Sequence, residues 1–332
     1  MSIIIFSLVI SFITCFIFLK FWIRKCHYLG MLWEDMNKWK TPKNVASSGG
    51  LIVLFSFLMG VFSYVALRTF WGVEENTLIF ASLMTVVLAG FIGFIDDMLG
   101  WKKKGLSKRA RLFALLIAAV PLIVINAGEK TINLPFLGIV NFGIFYPLFL
   151  IPLGVVGVTS VYNFLAGFNG LEAGLGVLIL SFLSYVSYVS GNPWLSVVGI
   201  TMVFSLLAFL IFNWCPAKVF GGNILTYSIG SLIATMAIMG NFEKIAFITF
   251  IPFIIEMILK LRGKLEIQSF GKPNKDGSLS LKYEKICGLT HFGIWFLSKF
   301  KKRVYEKDVV LLILFIEFIF IGIAFLSFKG LF

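Results

Sequence analysis

Ten long apolar runs constrain this chain more than any other feature. They cover residues 2–23, 48–68, 77–97, 111–127, 143–163, 173–190, 195–213, 224–240, 244–261 and 308–328. A helix that crosses a bilayer needs ~20 predominantly apolar residues, and backbone groups in lipid must find their partners inside the segment. The expected fold is therefore an all-α integral membrane protein, a bundle of ten transmembrane helices in a single domain over residues 1–332. Composition agrees: 59% of residues are hydrophobic and 14% charged, against ~45–50% and ~25% in soluble domains. The first run lacks a basic leader and a small-residue cleavage site, so it reads as a retained helix rather than a signal peptide.

The loops alternate sharply in charge. Of the 29 Lys and Arg residues, all but Arg68, Lys130, Lys244 and Lys329 fall in residues 20–46, 98–111, 214–223 and 260–307. The excess of positive charge assigns this face to the cytoplasm and both termini to the other side. The cytoplasmic loops then lie near 24–47, 98–111, 163–173, 214–223 and 262–307. A net charge of +13 so distributed belongs to a membrane face and its anionic ligands, with no nucleic-acid partner. Cys15, Cys26, Cys215 and Cys287 lack metal or redox spacing and read as reduced structural residues. Alternating β-branched residues around Pro135 suggest an outer hairpin, 131–134 with 138–141. The strips 264–268 and 279–283, on either side of a turn at 274–278, suggest a small cytoplasmic β-flap.

Chemistry-bearing residues gather on the basic face. Residues 163–174 place Asn163, Gly167, Asn169, Gly170, Glu172 and Gly174 between two apolar runs, where unpaired polar groups would be costly. The third run ends in Asp96-Asp97, adjacent carboxylates that repel each other unless a cation intervenes. A basic stretch, Lys102 to Arg111, follows at once. Together they suit a phosphate-bearing ligand with Mg²⁺, which prefers oxygen donors and substrate phosphates. The first loop adds Asp35, Asn37 and Lys38. The glycines of 47–50 and 216–223 open helices, and such N-termini can bind anions.

At this point the chain resembles a known family. The stretch Asn163-x-x-Ala166-Gly167-x-Asn169-Gly170-Leu171-Glu172-Ala173-Gly174 is similar to the signature loop of the polyprenyl-phosphate N-acetylhexosamine-1-phosphate transferases. Its wording is that of the dolichyl-phosphate branch, found in eukaryotes and archaea. Asp96-Asp97 and Asp35-x-Asn37-Lys38 match two further loops of the family, and the resemblance covers nearly the whole chain. It implies a Mg²⁺-dependent enzyme, with Mn²⁺ as the alternative ion. Asn163, Asn223 and Asp97 would hold the metal, and Asp96, Asp97 and Arg111 would serve the phosphates. Asp35, Asn37, Lys38, Gly167, Asn169, Gly170 and Glu172 would bind substrate, with Asn169 at the uracil or ribose. Two departures stand out. Asn223 replaces a metal-binding aspartate, and residues 264–281 lack the Arg and His of the eukaryotic sugar loop. Arg111 also stands where the family has lysine, which exchanges a point charge for a planar fork.

The expected reaction is transfer of N-acetylglucosamine-1-phosphate from UDP-N-acetylglucosamine to dolichyl phosphate, releasing UMP. Rival readings are another UDP-sugar, an undecaprenyl acceptor, or a transporter of an anionic solute. Further expectations are a UDP-sugar donor, a polyprenyl-phosphate acceptor, a homodimer, and an archaeal plasma membrane with the site facing the cytoplasm.

Overall fold

The computed structural model describes residues 2–72, 76–102, 105–134 and 138–329. Helix α1 (Ser2–Leu29) is followed by a hairpin, β1 (Leu32–Glu34) with β2 (Lys43–Ala46), then α2 (Gly50–Phe70), α3 (Thr77–Lys102) and α4 (Lys108–Val124). Next come β3 (Thr131–Leu134) with β4 (Gly138–Asn141), a wide π-helical turn (Tyr146–Leu150) and α5 (Ile151–Tyr162). The chain continues through α6 (Leu171–Val189), α7 (Pro193–Asn213), α8 (Gly222–Gly240), α9 (Glu243–Thr249) and α10 (Ile251–Arg262). It closes with β5 (Lys272–Pro273), β6 (Leu279–Ser280), α11 (Leu289–Ser298) and α12 (Glu306–Lys329).

Every expected span falls on helix, and seven of the described helices are individually long and apolar enough to cross a membrane: α1, α2, α3, α6, α7, α8 and α12. The other three expected spans are shorter or interrupted. α4 has 17 residues, about 25 Å of helix at 1.5 Å per residue. The fifth is built from the π turn and α5. The ninth breaks into α9 and α10 around Phe250, with Pro252 at the start of the second piece, where its missing N–H costs nothing.

α8 lies at the centre, with every residue from Ile224 to Gly240 buried. It packs chiefly against α3 and α5. Its small polar residues find bonds within the helix, as in Ser228 Oγ to Ile224 O, 2.7 Å. The approach of α3 is close because Gly93 has no side chain: a Cβ there would lie 2.5 Å from Asn223 O. Small residues at such contacts are the usual means of bringing helices together in lipid. The result sets the N-terminus of α8 beside Asp96 and Asp97.

The expected outer hairpin forms, with Thr131 opposite Asn141; its turn at Pro135 lies outside the described residues. The β-flap differs from expectation. Residues 264–268 form no strand, because Lys264 and Leu265 adopt positive φ (54° and 57°) and Lys260 Nζ binds Ile267 O and Ser269 Oγ. The turn at 274–278 does form, closed by Asn274 N to Ser278 O at 2.8 Å. Its flanking strands are only Lys272–Pro273 and Leu279–Ser280.

Candidate active site

Five segments converge under the N-terminus of α8 on a cavity of about 530 Å³. One wall carries Asp96, Asp97, Arg111, Asn163, Asn223 and Thr226; the other carries Trp33, Asp35, Gly167, Asn169, Glu172 and Phe270.

Local rules put the first wall in place. Ser107 caps α4, its hydroxyl accepting from Ala110 N at 3.2 Å, so Arg111 falls in the first turn of that helix. There its Nε lies 2.8 Å from Asp96 Oδ2. Asp96 is buried and also accepts from Leu106 N (2.7 Å) and Asn223 Nδ2 (2.9 Å). Asp97 does something else. Its carboxylate accepts from the backbone N–H of Asn223 (2.8 Å) and Ile224 (3.3 Å) and from Ser48 Oγ (3.4 Å). It thus caps α8, where negative charge is favourable. Gly222 makes room at φ 75°, and a Cβ there would collide with the Asp97 carboxylate. The two members of the aspartate pair are therefore stabilised by separate means, an arginine on one and a helix N-terminus on the other.

Asn163 ends α5, and its Oδ1 accepts from Thr226 Oγ1 at 2.8 Å. Asp97, Asn163 and Asn223 present hard oxygen donors to one cavity, which fits Mg²⁺ or Mn²⁺. Among the described residues no cluster of three or more His, Cys, Asp or Glu could hold an ion. One carboxylate and two amides suit only an ion whose shell is completed by substrate phosphate and water. Neither glycine-rich helix start is open to an anion. Asp97 occupies that of α8, and Gly49 N and Gly50 N at α2 donate to Phe220 O (2.8 Å) and Gly221 O (3.0 Å).

The second wall comes from the first, third and fifth loops. Asn169 Nδ2 donates to Asp35 Oδ2 at 3.2 Å. Burial, and then the nearby Glu306 carboxylate, raise the pKa of Asp35 above the ordinary value, partly offset by the Asn169 bond and by Lys38. Glu172 Oε2 is buried with no hydrogen-bond partner among the described residues. The Phe270 ring lies against Gly167, and the preceding residue is held by Thr290 Oγ1 donating to Ser269 O (2.7 Å).

Three of the residues expected at the site stand outside the lining. Gly170 packs on Trp214 and donates to Asn213 Oδ1 (3.1 Å). Asn37 and Lys38 lie behind the second wall, bound to Glu306 at 3.2 and 2.5 Å. Burial opposes the charge on Lys38, but the Glu306 carboxylate prevails and raises the Lys38 pKa. Sequence reasoning passed over Glu306, Phe270, Trp33, Phe220 and Thr226. For Glu306 a signal existed, an acid two residues before the last apolar run.

Residues 79–241 match glycosyl transferase family 4. A Saccharolobus solfataricus protein provisionally named UDP-N-acetylglucosamine–dolichyl-phosphate N-acetylglucosaminephosphotransferase is 35% identical over 96% of this chain and 94% of its own. The Dictyostelium discoideum protein of the same name is 29% identical over 68% of this chain and 63% of its own. A phospho-N-acetylmuramoyl-pentapeptide-transferase from Clostridium perfringens is 32% identical over 67% of this chain and 68% of its own.

Proposed function

The chain belongs to glycosyl transferase family 4, and from that premise we propose that it transfers N-acetylglucosamine-1-phosphate from UDP-N-acetylglucosamine to dolichyl phosphate. One observation carries the reading: acids, amides and a cation from loops far apart in sequence line a single cavity beside α8. The family relatives named for this reaction, similar over nearly the full chain, support it.

An oxygen of the lipid phosphate attacks the β-phosphorus of the donor. A new P–O–P link forms, the α–β anhydride breaks, and UMP departs with that bridging oxygen. A phosphate monoester has a second pKa of ≈6, so the nucleophile is largely ionised at neutral pH and needs no strong base. The work left to the protein is positioning and charge neutralisation. Arg111, oriented by Asp96, holds a phosphate through guanidinium nitrogens other than the one on that carboxylate. Asp97, Asn163 and Asn223 would hold Mg²⁺, which when bound neutralises diphosphate charge. Asn169 and Asp35, with Phe270, grip the uridine. The cavity faces the cytoplasm, where UDP-sugars are made, and an archaeal plasma membrane houses it.

Purified protein with Mg²⁺, dolichyl phosphate and a panel of UDP-sugars tests this, with UDP-N-acetylmuramoyl-pentapeptide among them. UMP release matched by lipid-linked N-acetylglucosamine is expected. Release with none of the donors would sink the reading, and release only with the pentapeptide donor would reassign the substrate.

A further inference from the structure

Glu306 lies outside the cavity, at the first position of α12, yet its buried carboxylate ties three loops to one point. Oε1 accepts from Asn169 N at 2.9 Å and from Asn37 Nδ2 at 3.2 Å. Oε2 accepts from Lys38 Nζ at 2.5 Å and from Cys215 Sγ at 3.4 Å. Asn37 carries the grip further, donating to Gly167 O (3.2 Å) and accepting from Gly271 N (3.2 Å). The carboxylate therefore fixes Asn169 directly, and Gly167 and the Phe270–Gly271 segment through one intervening amide. It also engages the charge of Lys38. What the wall presents is the Asn169 amide, the carboxylates of Asp35 and Glu172 and the rings of Trp33 and Phe270, suited to a heteroaromatic base and sugar hydroxyls rather than to phosphate.

We propose that Glu306 is a positioning residue for the donor: from behind the wall it holds Asn169 and Gly167 in the register that grips the nucleoside, and it leaves the acceptor side alone. This rests on the UDP-sugar reading above. Hydrogen bonds to a charged group are the stronger kind, and a shift of the supporting residues by an ångström is enough to lose binding.

Two double variants isolate the contact. E306Q/K38M removes both charges but keeps an oxygen for Asn169 N; E306L/K38M removes the oxygen too. Replacing a buried ion pair by apolar groups of like volume is commonly tolerated. The donor KM is expected to be about tenfold higher in E306L/K38M than in E306Q/K38M, the upper size of one lost neutral hydrogen bond. Acceptor KM should be equal in the two, and amide exchange over residues 163–170 faster in the leucine variant. Equal donor KM values, or an acceptor KM that moves as far, would overturn the proposal. Should E306L/K38M not fold, E306M/K38M against E306Q/K38M gives the same comparison, because methionine matches glutamine in length and offers Asn169 N no oxygen. If wild-type protein releases no UMP from any UDP-sugar, the functional reading has failed on its own. Exchange over 163–170 then decides the role of Glu306, and unchanged protection would refute it.

Discussion

Arg111→Met separates what the Asp96–Arg111 pair does for the fold from what it does for the chemistry. Asp96 has no exposed side-chain surface, whereas Arg111 is 33% exposed. Removing one partner of a buried pair typically costs ~3–5 kcal/mol, because the other charge is left without compensation. Arg111 is partly solvated and Asp96 keeps its bonds from Leu106 N and Asn223 Nδ2, so the low end applies, about 3 kcal/mol. At roughly 2 °C per kcal/mol for a large chain, melting in detergent should fall by about 6 °C. The double variant D96N/R111M removes the stranded charge as well and should recover most of that loss. UMP release should stay at least ~100-fold down in both, the scale for losing a preorganised charge at a phosphoryl group. A single variant as stable as wild type would refute the energetic argument. A double variant with restored turnover would refute the assignment of Arg111 to phosphate.

Other consequences are as direct. Gly222→Ala forces a Cβ into the Asp97 carboxylate at φ 75°, so about 1–2 kcal/mol of backbone strain and a lost cap should appear together as lower melting temperature and lower turnover; wild-type behaviour in both would remove Asp97 as the α8 cap. Asn223→Asp adds a third carboxylate beside Asp96 and Asp97, which should lower melting without metal and raise the Mg²⁺-induced stabilisation above that of wild type; identical Mg²⁺ titrations would exclude position 223 from metal binding. Chelation should likewise abolish UMP release, and full activity in excess chelator would remove the metal from the reaction. The raised pKa of Asp35, due first to burial and then to Glu306, means that the folded state holds its proton more tightly than the unfolded chain. Its stabilising contribution is therefore present below the ordinary carboxylate pKa of ~4 and is lost as pH rises through the folded value. Asp35→Asn should flatten that loss in melting curves taken across the acid range, and parallel profiles for the two proteins would contradict it.

Legibility in the sequence followed the range of the forces involved. Ten apolar runs all fall on helix, and the outer hairpin forms, because hydropathy and strand alternation are properties of neighbours in the chain. The failure at 264–268 came from the same source. Alternation there invited a strand, but Lys260, one turn back on α10, takes Ile267 O and Ser269 Oγ for its own ammonium.

The sequence by itself determined a multi-helix membrane chain with its polar chemistry on one face, since no other fold buries so much apolar surface in lipid or tolerates so lopsided a charge. Which residues meet on that face was decided only by packing. Helix α8 had to become the buried centre, with α3 drawn close at Gly93, before Asp97 could cap it and Asp96 could find Arg111. Glu306 reaches Asn169 across 137 positions of chain, a contact that no local pattern encodes, because it exists only where the start of α12 is packed against the other loops.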